Sequence, residues 1–302
     1  MPAPARLAAL LALALCGHLL YSSYGLNPSD EGFVLAQARR LLDGQVPHRD
    51  FISIRPVFSA VLHMPEVAAG GGSLVMLSRF LVWLQVVVTA YLNIKTLARL
   101  MVAPLPERAC LLLTALSVAL GLHTFPLLAW HTLDGLFLMA LGGALLGRAG
   151  DGPRIAGCLA LGAAALCKQN FAAALPLAAL VFRLRPRELA ALALPVLIYP
   201  VIISALGGAA DLRLQLTSQV SLFDNGFRRY LRPDVLLIAP AIGAAVAFMA
   251  RSSALLAALP VLIAMVYVAV TFGLPLVELV VPFQVFGLAL GIGLVRPSRA
   301  AL

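Results

Sequence analysis

The sequence predicts an all-α protein, a polytopic transmembrane helical bundle that forms a single domain over residues 1–302. The chain is 62% hydrophobic and only 12% charged, and its mean hydropathy is +0.98. Apolar runs recur at about 20 residues, the length that a helix needs to cross about 30 Å of hydrocarbon. Lipid offers no hydrogen-bond partners, so each run must satisfy its own backbone groups as a helix. We expect about ten such membrane segments.

The first span is predicted at about 7–24, and a polar interval at about 25–73 follows as the first outer loop. No small-x-small cleavage site follows the apolar N-terminal run, so an uncleaved span is expected rather than a signal peptide. Pro-Ser-Asp at 28–30 can begin a helix, because short polar residues cap helix N-termini and acids suit the positive end of the dipole. Mixed apolar and polar residues then continue to Gly44, which predicts a helix lying on the membrane surface.

The apolar stretch from Ile155 to Phe182 predicts an interrupted segment rather than one span. Basic loops flank it on both sides, and a single span would place one of them outside, against the cytoplasmic preference of Lys and Arg. We expect a hairpin of two short half-helices at about 155–167 and 170–182, with Lys168-Gln169-Asn170 at its tip. Each limb is roughly 20 Å long at about 1.5 Å per residue, too short to cross alone.

The charge distribution predicts an orientation with both termini in the cytoplasm. The short basic loops fall on one side, whereas most acids lie in the first outer loop and in a second one at about 207–234. This orientation explains the net charge of +9, and no basic cluster interleaved with aromatics indicates nucleic-acid binding. The other spans are predicted at about 74–94, 109–125, 132–147, 188–206, 235–250, 254–272 and 276–295.

Three carboxylates of the first outer loop are candidates for catalysis. Asp30 lies between the first span and the interfacial helix, where it can act as a general base toward an acceptor hydroxyl or amine. The alternative for Asp30 is a helix-capping acid, and Glu31 either shares the catalytic role or caps the helix. The candidate roles of Asp50 are binding a metal, binding the acceptor and orienting the base. Its alternative is an ion pair with Arg49 or Arg55.

Lys168 is the main candidate for contacting a phosphate. It is one of two lysines among 22 Lys and Arg residues, and a lysine inside an apolar stretch is costly and typically marks an ion or ligand site. A compact ammonium suits a phosphate, and a lysine that snorkels to the interface is the alternative. Arg79 is either a further phosphate contact or a snorkelling anchor. Three arginines of the second outer loop bind an anionic lipid head group or the substrate phosphate, or else pair with nearby acids: Arg228, Arg229 and Arg232.

Accessory or acceptor-binding roles are assigned to five residues: His48, Arg55, His131, Asp134 and Tyr230. The His131-x-x-Asp134 spacing is a weak metal signal, because no third ligand is within sequence reach. An interfacial aromatic belt explains His131 equally well, but Asp134 stands inside an apolar run. The four cysteines show neither a disulfide framework nor metal-ligand spacing. The sequence establishes no cofactor, and a magnesium or manganese ion is an open alternative.

Two segments resemble the C-superfamily (GT-C) membrane glycosyltransferases. The stretch DEGFVLAQARRLLDGQVPHRDF is similar to the opening of bacterial arabinose- and mannose-type transferases, which have an acidic pair, an amphipathic helix, a Gly-Gln turn and Arg-Asp-Phe. The later IAGCLALGAAALCKQNF is similar to their Gly-rich hairpin carrying Lys-Gln. This chain has Ile-Ser-Ile-Arg-Pro after Arg-Asp-Phe, where an aromatic or Pro-Pro pair is common, and no separate soluble domain is expected in it.

The resemblance implies an inverting transferase that moves a sugar from a polyprenyl-phosphate donor to an envelope glycan, lipid or protein acceptor. It implies a site on the periplasmic or extracellular face of a bacterial inner membrane, with membrane lipids and not nucleic acid as partners. Asp30 takes the position of the family's catalytic acid, with Glu31 beside it and Asp50 as the second acid. Lys168 would approach the donor phosphate. The alternatives are a non-enzymatic transporter or flippase for a lipid-linked or anionic substrate, and a degenerate transferase-like assembly partner.

Overall fold

The computed structural model describes residues 2–23, 25, 27–100, 105–121 and 127–218. In this part of the chain the regular structure is helical and no strand is formed, which confirms the predicted helical class there. Two 3-10 turns occur at Gly71–Ser73 and Gln169–Ala173. The α-helices are α1 Ala3–Tyr21, α2 Glu31–Leu42, α3 Phe58–Gly70, α4 Leu74–Leu100, α5 Glu107–Gly121, α6 His131–Leu146, α7 Asp151–Cys167, α8 Ala174–Val181, α9 Pro186–Ala205 and α10 Ala209–Thr217.

Three candidate membrane spans are present among the described residues: Ala3–Tyr21, Phe58–Arg99 and Pro186–Ala205. The second joins α3 to α4, so part of the predicted outer loop at 25–73 is apolar helix rather than polar loop. The total of about ten segments and the orientation in the membrane stay predictions. Residues 219–302 lie outside the described part, and with them the predicted spans at 235–250, 254–272 and 276–295.

The chain divides into two compact units. The first comprises Met1–Leu175 and Leu184–Ser218, and it contains every contact discussed below. The described part of the second is Pro176–Arg183, which carries most of α8. The single domain over 1–302 stays a prediction.

Helix α1 packs on α4 at a glycine, and α2 packs on α3 through its apolar face. Gly17 of α1 lies so close to the Trp83 ring of α4 that a Cβ would overlap it. The predicted interfacial helix is observed as α2, which buries Val34 and Ala38 against α3 and leaves its arginines exposed. This alternation is that of an amphipathic helix, as the sequence predicts. Its location at a membrane surface stays a prediction.

Within the first unit, α6 and α9 each approach α7 closely at glycines. A Cβ at Gly142 of α6 would lie 2.9 Å from the Gly157 carbonyl oxygen of α7, and one at Gly157 would lie 2.8 Å from the Gly142 oxygen. Gly162 likewise faces the Leu192 carbonyl of α9. Such small residues allow helix backbones to approach closely in membrane proteins.

The interruption predicted at Lys168 is present. Helix α7 ends at Cys167, and Lys168 has an extended backbone with φ −155° and ψ 130°. A 3-10 turn then leads into α8. The break places the Lys168 side chain near the start of α6. The hairpin course predicted for 155–182 stays a prediction.

Candidate functional site

Two cations from distant parts of the chain converge on the start of α6. The Nζ of Lys168 donates a hydrogen bond to Thr132 Oγ1 at 3.1 Å and lies 5.6 Å from the centroid of the Trp130 ring. The Nη1 of Arg55 donates to His131 Nδ1 at 3.0 Å. Lys168 and Arg55 are close enough for their charges to interact. Three consecutive residues, Trp130, His131 and Thr132, therefore contact both cations.

Asp30 faces these two cations. Its carboxylate interacts electrostatically with both Arg55 and Lys168, and it is partly exposed at the position before α2. Burial lowers the pKa of Arg55, while the charge of Asp30 acts in the opposite direction. The structure thus brings together Asp30 and Lys168, which the sequence placed in one site.

This group carries an excess of positive charge. Among the described residues, no ion pair is formed by Arg55, Lys168 or Asp30. The Asp30 carboxylate lies 3.5 Å from the side-chain nitrogen of Asn27. Two partly buried cations with one carboxylate leave one positive charge uncompensated. A site of this kind favours an anion, and the planar Arg55 guanidinium can donate two parallel hydrogen bonds to phosphate oxygens.

His131 orients Arg55. Its side chain is buried, with 1% of the residue exposed. Since a guanidinium only donates, Nδ1 of His131 accepts, and the ring is neutral with its proton on Nε2. Phe33 packs beside the ring, with the centroids 5.8 Å apart. The sequence assigned an accessory role to His131, but the Arg55 partner was not predicted.

The turn that carries Lys168 is fixed on two sides. Gln169 Nε2 donates to the Ile54 carbonyl oxygen at 2.8 Å, next to Arg55. The Phe171 ring packs directly against Gly135 of α6, where a Cβ would overlap it. These contacts set the spacing between Lys168 and Arg55.

Glu31 and Arg79 form a buried ion pair with each other. Arg79 Nε and Nη2 donate to the two carboxylate oxygens of Glu31, each at 2.8 Å, and Glu31 is fully buried. Arg79 also donates to the carbonyl oxygens of Ser22, at 2.6 Å, and Gly25. These contacts tie the end of α1 and the start of α2 to α4, and so fix the residue beside Asp30. The catalytic role of Glu31 and the phosphate-binding role of Arg79 stay predictions.

The Arg49–Asp50 pair and His48 fasten the loop after α2. The ion pair that the sequence left open for Asp50 is the one with Arg49, at 2.8 Å. Together with the Val46 amide, Arg49 lowers the pKa of Asp50 to about 2. His48 Nδ1 lies 2.9 Å from Gln215 Oε1, and Nε2 lies 2.7 Å from the Tyr199 hydroxyl. Burial lowers the pKa of His48.

A polar network buried among α3, α4 and α6 was not predicted. His63 lies between two carboxylates, with Nδ1 2.7 Å from Glu66 Oε1 and Nε2 3.3 Å from both oxygens of Asp134. Ser59 and Gln85 also donate to Asp134. From the sequence, an accessory role was predicted for Asp134 and none for His63 or Glu66. Their i, i+3 spacing within an apolar run was the available signal.

The remaining site predictions concern the second outer loop and a metal ion. Arg228, Arg229, Tyr230 and Arg232 lie outside the described residues. Within the described part, no group of three or more His, Cys, Asp or Glu side chains is arranged to hold a metal ion.

Comparisons of the chain with known protein families, with curated proteins and with solved structures found no match. The resemblance to C-superfamily glycosyltransferases therefore depends on the two sequence segments quoted above.

Proposed function

We propose that this protein is an integral membrane glycosyltransferase that moves a sugar from a polyprenyl-phosphate donor to an acceptor. The reaction takes place on the periplasmic or extracellular face of a bacterial inner membrane, and both termini are cytoplasmic. The observation that supports the proposal is the group formed by Asp30, Arg55 and Lys168, which combines a carboxylate with two cations that form no ion pair among the described residues.

The proposed step is a direct displacement at the anomeric carbon. Asp30 takes the proton of the acceptor hydroxyl, whose oxygen attacks that carbon. The bond from the carbon to the phosphate oxygen breaks, and the configuration inverts. The departing polyprenyl phosphate gains one negative charge, which Lys168 and Arg55 stabilise. Arg55 is thus proposed as a phosphate contact in addition to those predicted from the sequence, and Arg79 and the arginines at 228, 229 and 232 remain further predicted contacts.

The fixed surroundings of these residues suit such a step. His131 holds the Arg55 guanidinium through Nδ1, and Gln169 holds the Lys168 turn against the segment that carries Arg55. The Glu31–Arg79 pair fixes the start of α2 beside Asp30. Preorganised donors stabilise developing charge without a reorganisation cost during the reaction.

The test is a transfer assay in membranes with polyprenyl-phosphate mannose and polyprenyl-phosphate arabinose, each labelled in the sugar. Asp30→Asn should lower transfer by roughly 10²- to 10⁴-fold, the usual contribution of a general base. Lys168→Ala should also abolish most transfer. Asp43→Asn is the matched control, because it removes a carboxylate of an exposed i, i+4 ion pair with Arg39. Undiminished transfer by both Asp30→Asn and Lys168→Ala would refute the assignment.

A transporter for a lipid-linked or anionic substrate is the second candidate. The buried His63–Glu66–Asp134 network favours it, because chains of acidic and histidine side chains mark proton pathways in membrane transporters. This candidate predicts movement of labelled polyprenyl phosphate across proteoliposomes without any new glycosidic product. Covalent transfer of sugar that depends on Asp30 would exclude it.

A further inference from the structure

The network around His63 contains two carboxylates that differ in their surroundings. Asp134 accepts hydrogen bonds from Ser59 and from Gln85 Nε2, the latter at 2.8 Å, in addition to facing His63. Within the described residues, Glu66 has one hydrogen-bond partner, Nδ1 of His63. His63, Glu66 and Asp134 are 4%, 5% and 1% exposed. Asp134 is therefore the better stabilised anion of the two.

The two ring nitrogens of His63 define the charge of the His63–Glu66–Asp134 network. Both ring nitrogens of His63 face carboxylate oxygens, so both donate and the ring is an imidazolium. One cation and two ionised carboxylates leave one negative charge among apolar helices, which is costly. A proton on Glu66 removes that charge and keeps the interaction between His63 and Asp134.

In the part of the chain that the structure describes, the groups packed around His63 supply no second cation. Helix α6 contributes Asp134 and the neutral His131, and α7 contributes the Cys167 thiol. Helix α4 contributes the uncharged Gln85, α2 packs apolar side chains on α3, and the 3-10 turn after α3 is Gly-Gly-Ser.

We propose that His63, Glu66 and Asp134 form a proton-binding site in which Glu66 gains and loses the proton, taken from water. The proton also controls the affinity of the Arg55–Lys168 group for an anion, a consequence that rests on the proposed function of that group. His131 connects the two regions, because it interacts electrostatically with His63 and Asp134 and accepts the hydrogen bond from Arg55.

The sign of the coupling follows from the charges. A proton on Glu66 removes one negative charge near the two cations, so the anion binds more tightly as the pH falls. With an effective dielectric constant of about 20, we expect the change in affinity to be on the order of tenfold. Glu66→Gln imitates the protonated carboxyl and should retain the tighter binding at high pH.

Infrared difference spectroscopy of the full-length protein in lipid nanodiscs tests the proton site without any ligand. The pH is lowered from about 9 to about 5, where exposed Asp and Glu side chains remain mostly ionised. A carboxylic-acid carbonyl band should appear in the wild type and be absent from Glu66→Gln. It should also be absent from Asp134→Asn, because the His63 imidazolium then balances the single remaining carboxylate. The absence of such a band from the wild type overturns the proposal. So does a band that persists at full intensity in Glu66→Gln.

Binding of a fluorescent polyprenyl monophosphate to the same nanodiscs tests the coupling. Comparing variants at each pH removes the titration of the phosphate itself. At high pH Glu66→Gln should bind on the order of tenfold more tightly than the wild type, and Asp43→Asn should match the wild type. Equal affinities of Glu66→Gln and the wild type at every pH overturn the coupling. If no variant binds the probe, the proposed phosphate role of Arg55 and Lys168 fails, and the infrared result still decides the proton site.

Discussion

Removal of either partner of the Glu31–Arg79 pair should destabilise the protein strongly. Glu31 is fully buried and Arg79 nearly so, and two hydrogen bonds of 2.8 Å join them. Either Glu31→Gln or Arg79→Met leaves polar groups buried without their partner. Breaking a buried ion pair in this way costs about 3–5 kcal/mol, because the remaining charge is uncompensated.

The double variant provides a sharper measure than either single one. Once both charges are removed, the penalty for an unpaired buried charge disappears, so the double variant should be less destabilised than the sum of the two single changes. We expect a coupling energy of about 1–3 kcal/mol. The carbonyl oxygens of Ser22 and Gly25 also lose their Arg79 donor, so recovery of stability should be incomplete.

Unfolding in mixed micelles with increasing SDS measures these free energies. The control is Asp43→Ala, which breaks the exposed Arg39–Asp43 pair. Such a pair contributes only about 0.3–0.5 kcal/mol. If each single change at Glu31 or Arg79 costs no more than this control, or if the two changes are additive, the buried pair does not stabilise the fold as argued.

Three further predictions follow from other contacts. The pKa of His48 is lowered, so the unfolded chain takes up its proton first and stability should fall as the pH drops below about 6.5; His48→Gln should flatten this loss in pH-dependent unfolding. Gly135→Ala should push the Phe171 ring away, costing about 1–3 kcal/mol in unfolding experiments, and Phe171→Ala in the same chain should restore part of it. Arg55→Lys should weaken polyprenyl-phosphate binding more than Lys168→Arg does, since only Arg55 supplies a bidentate donor; equal losses would contradict its proposed role.

The composition and the order of charged residues along the sequence predict the helical class and the interruption of the helix at Lys168, because both are local properties. A long apolar run with basic flanks cannot be one span without violating the orientation rule, and α7 ends at Cys167 as that reasoning requires. Asp30 could be singled out by its position between the first span and the interfacial helix, and Lys168 by its place inside an apolar stretch. A charge in apolar surroundings is costly, whatever its partner is.

Partners across the bundle could not be predicted in this way. Glu31 and Arg79 each had an adequate local explanation, as a capping acid and as an interfacial anchor. Only the tertiary fold, which brings the start of α2 beside α4, makes them a pair. His63 stands out only through its contact with Asp134, which lies on another helix. Pairing of this kind depends on tertiary geometry, and one sequence gives no information on which helices meet.

The glycine contacts between α6 and α7 limit which parts of the protein can move. Backbone touches backbone at Gly142 and Gly157, so no side-chain rotamer there can absorb a sliding motion, and packed interiors transmit displacement rather than deform. We expect α6 and α7 to shift as one body, which preserves the distance between Lys168 and His131. Lys168 and the residues at the start of α6 that contact it should therefore keep their relative positions when a ligand binds.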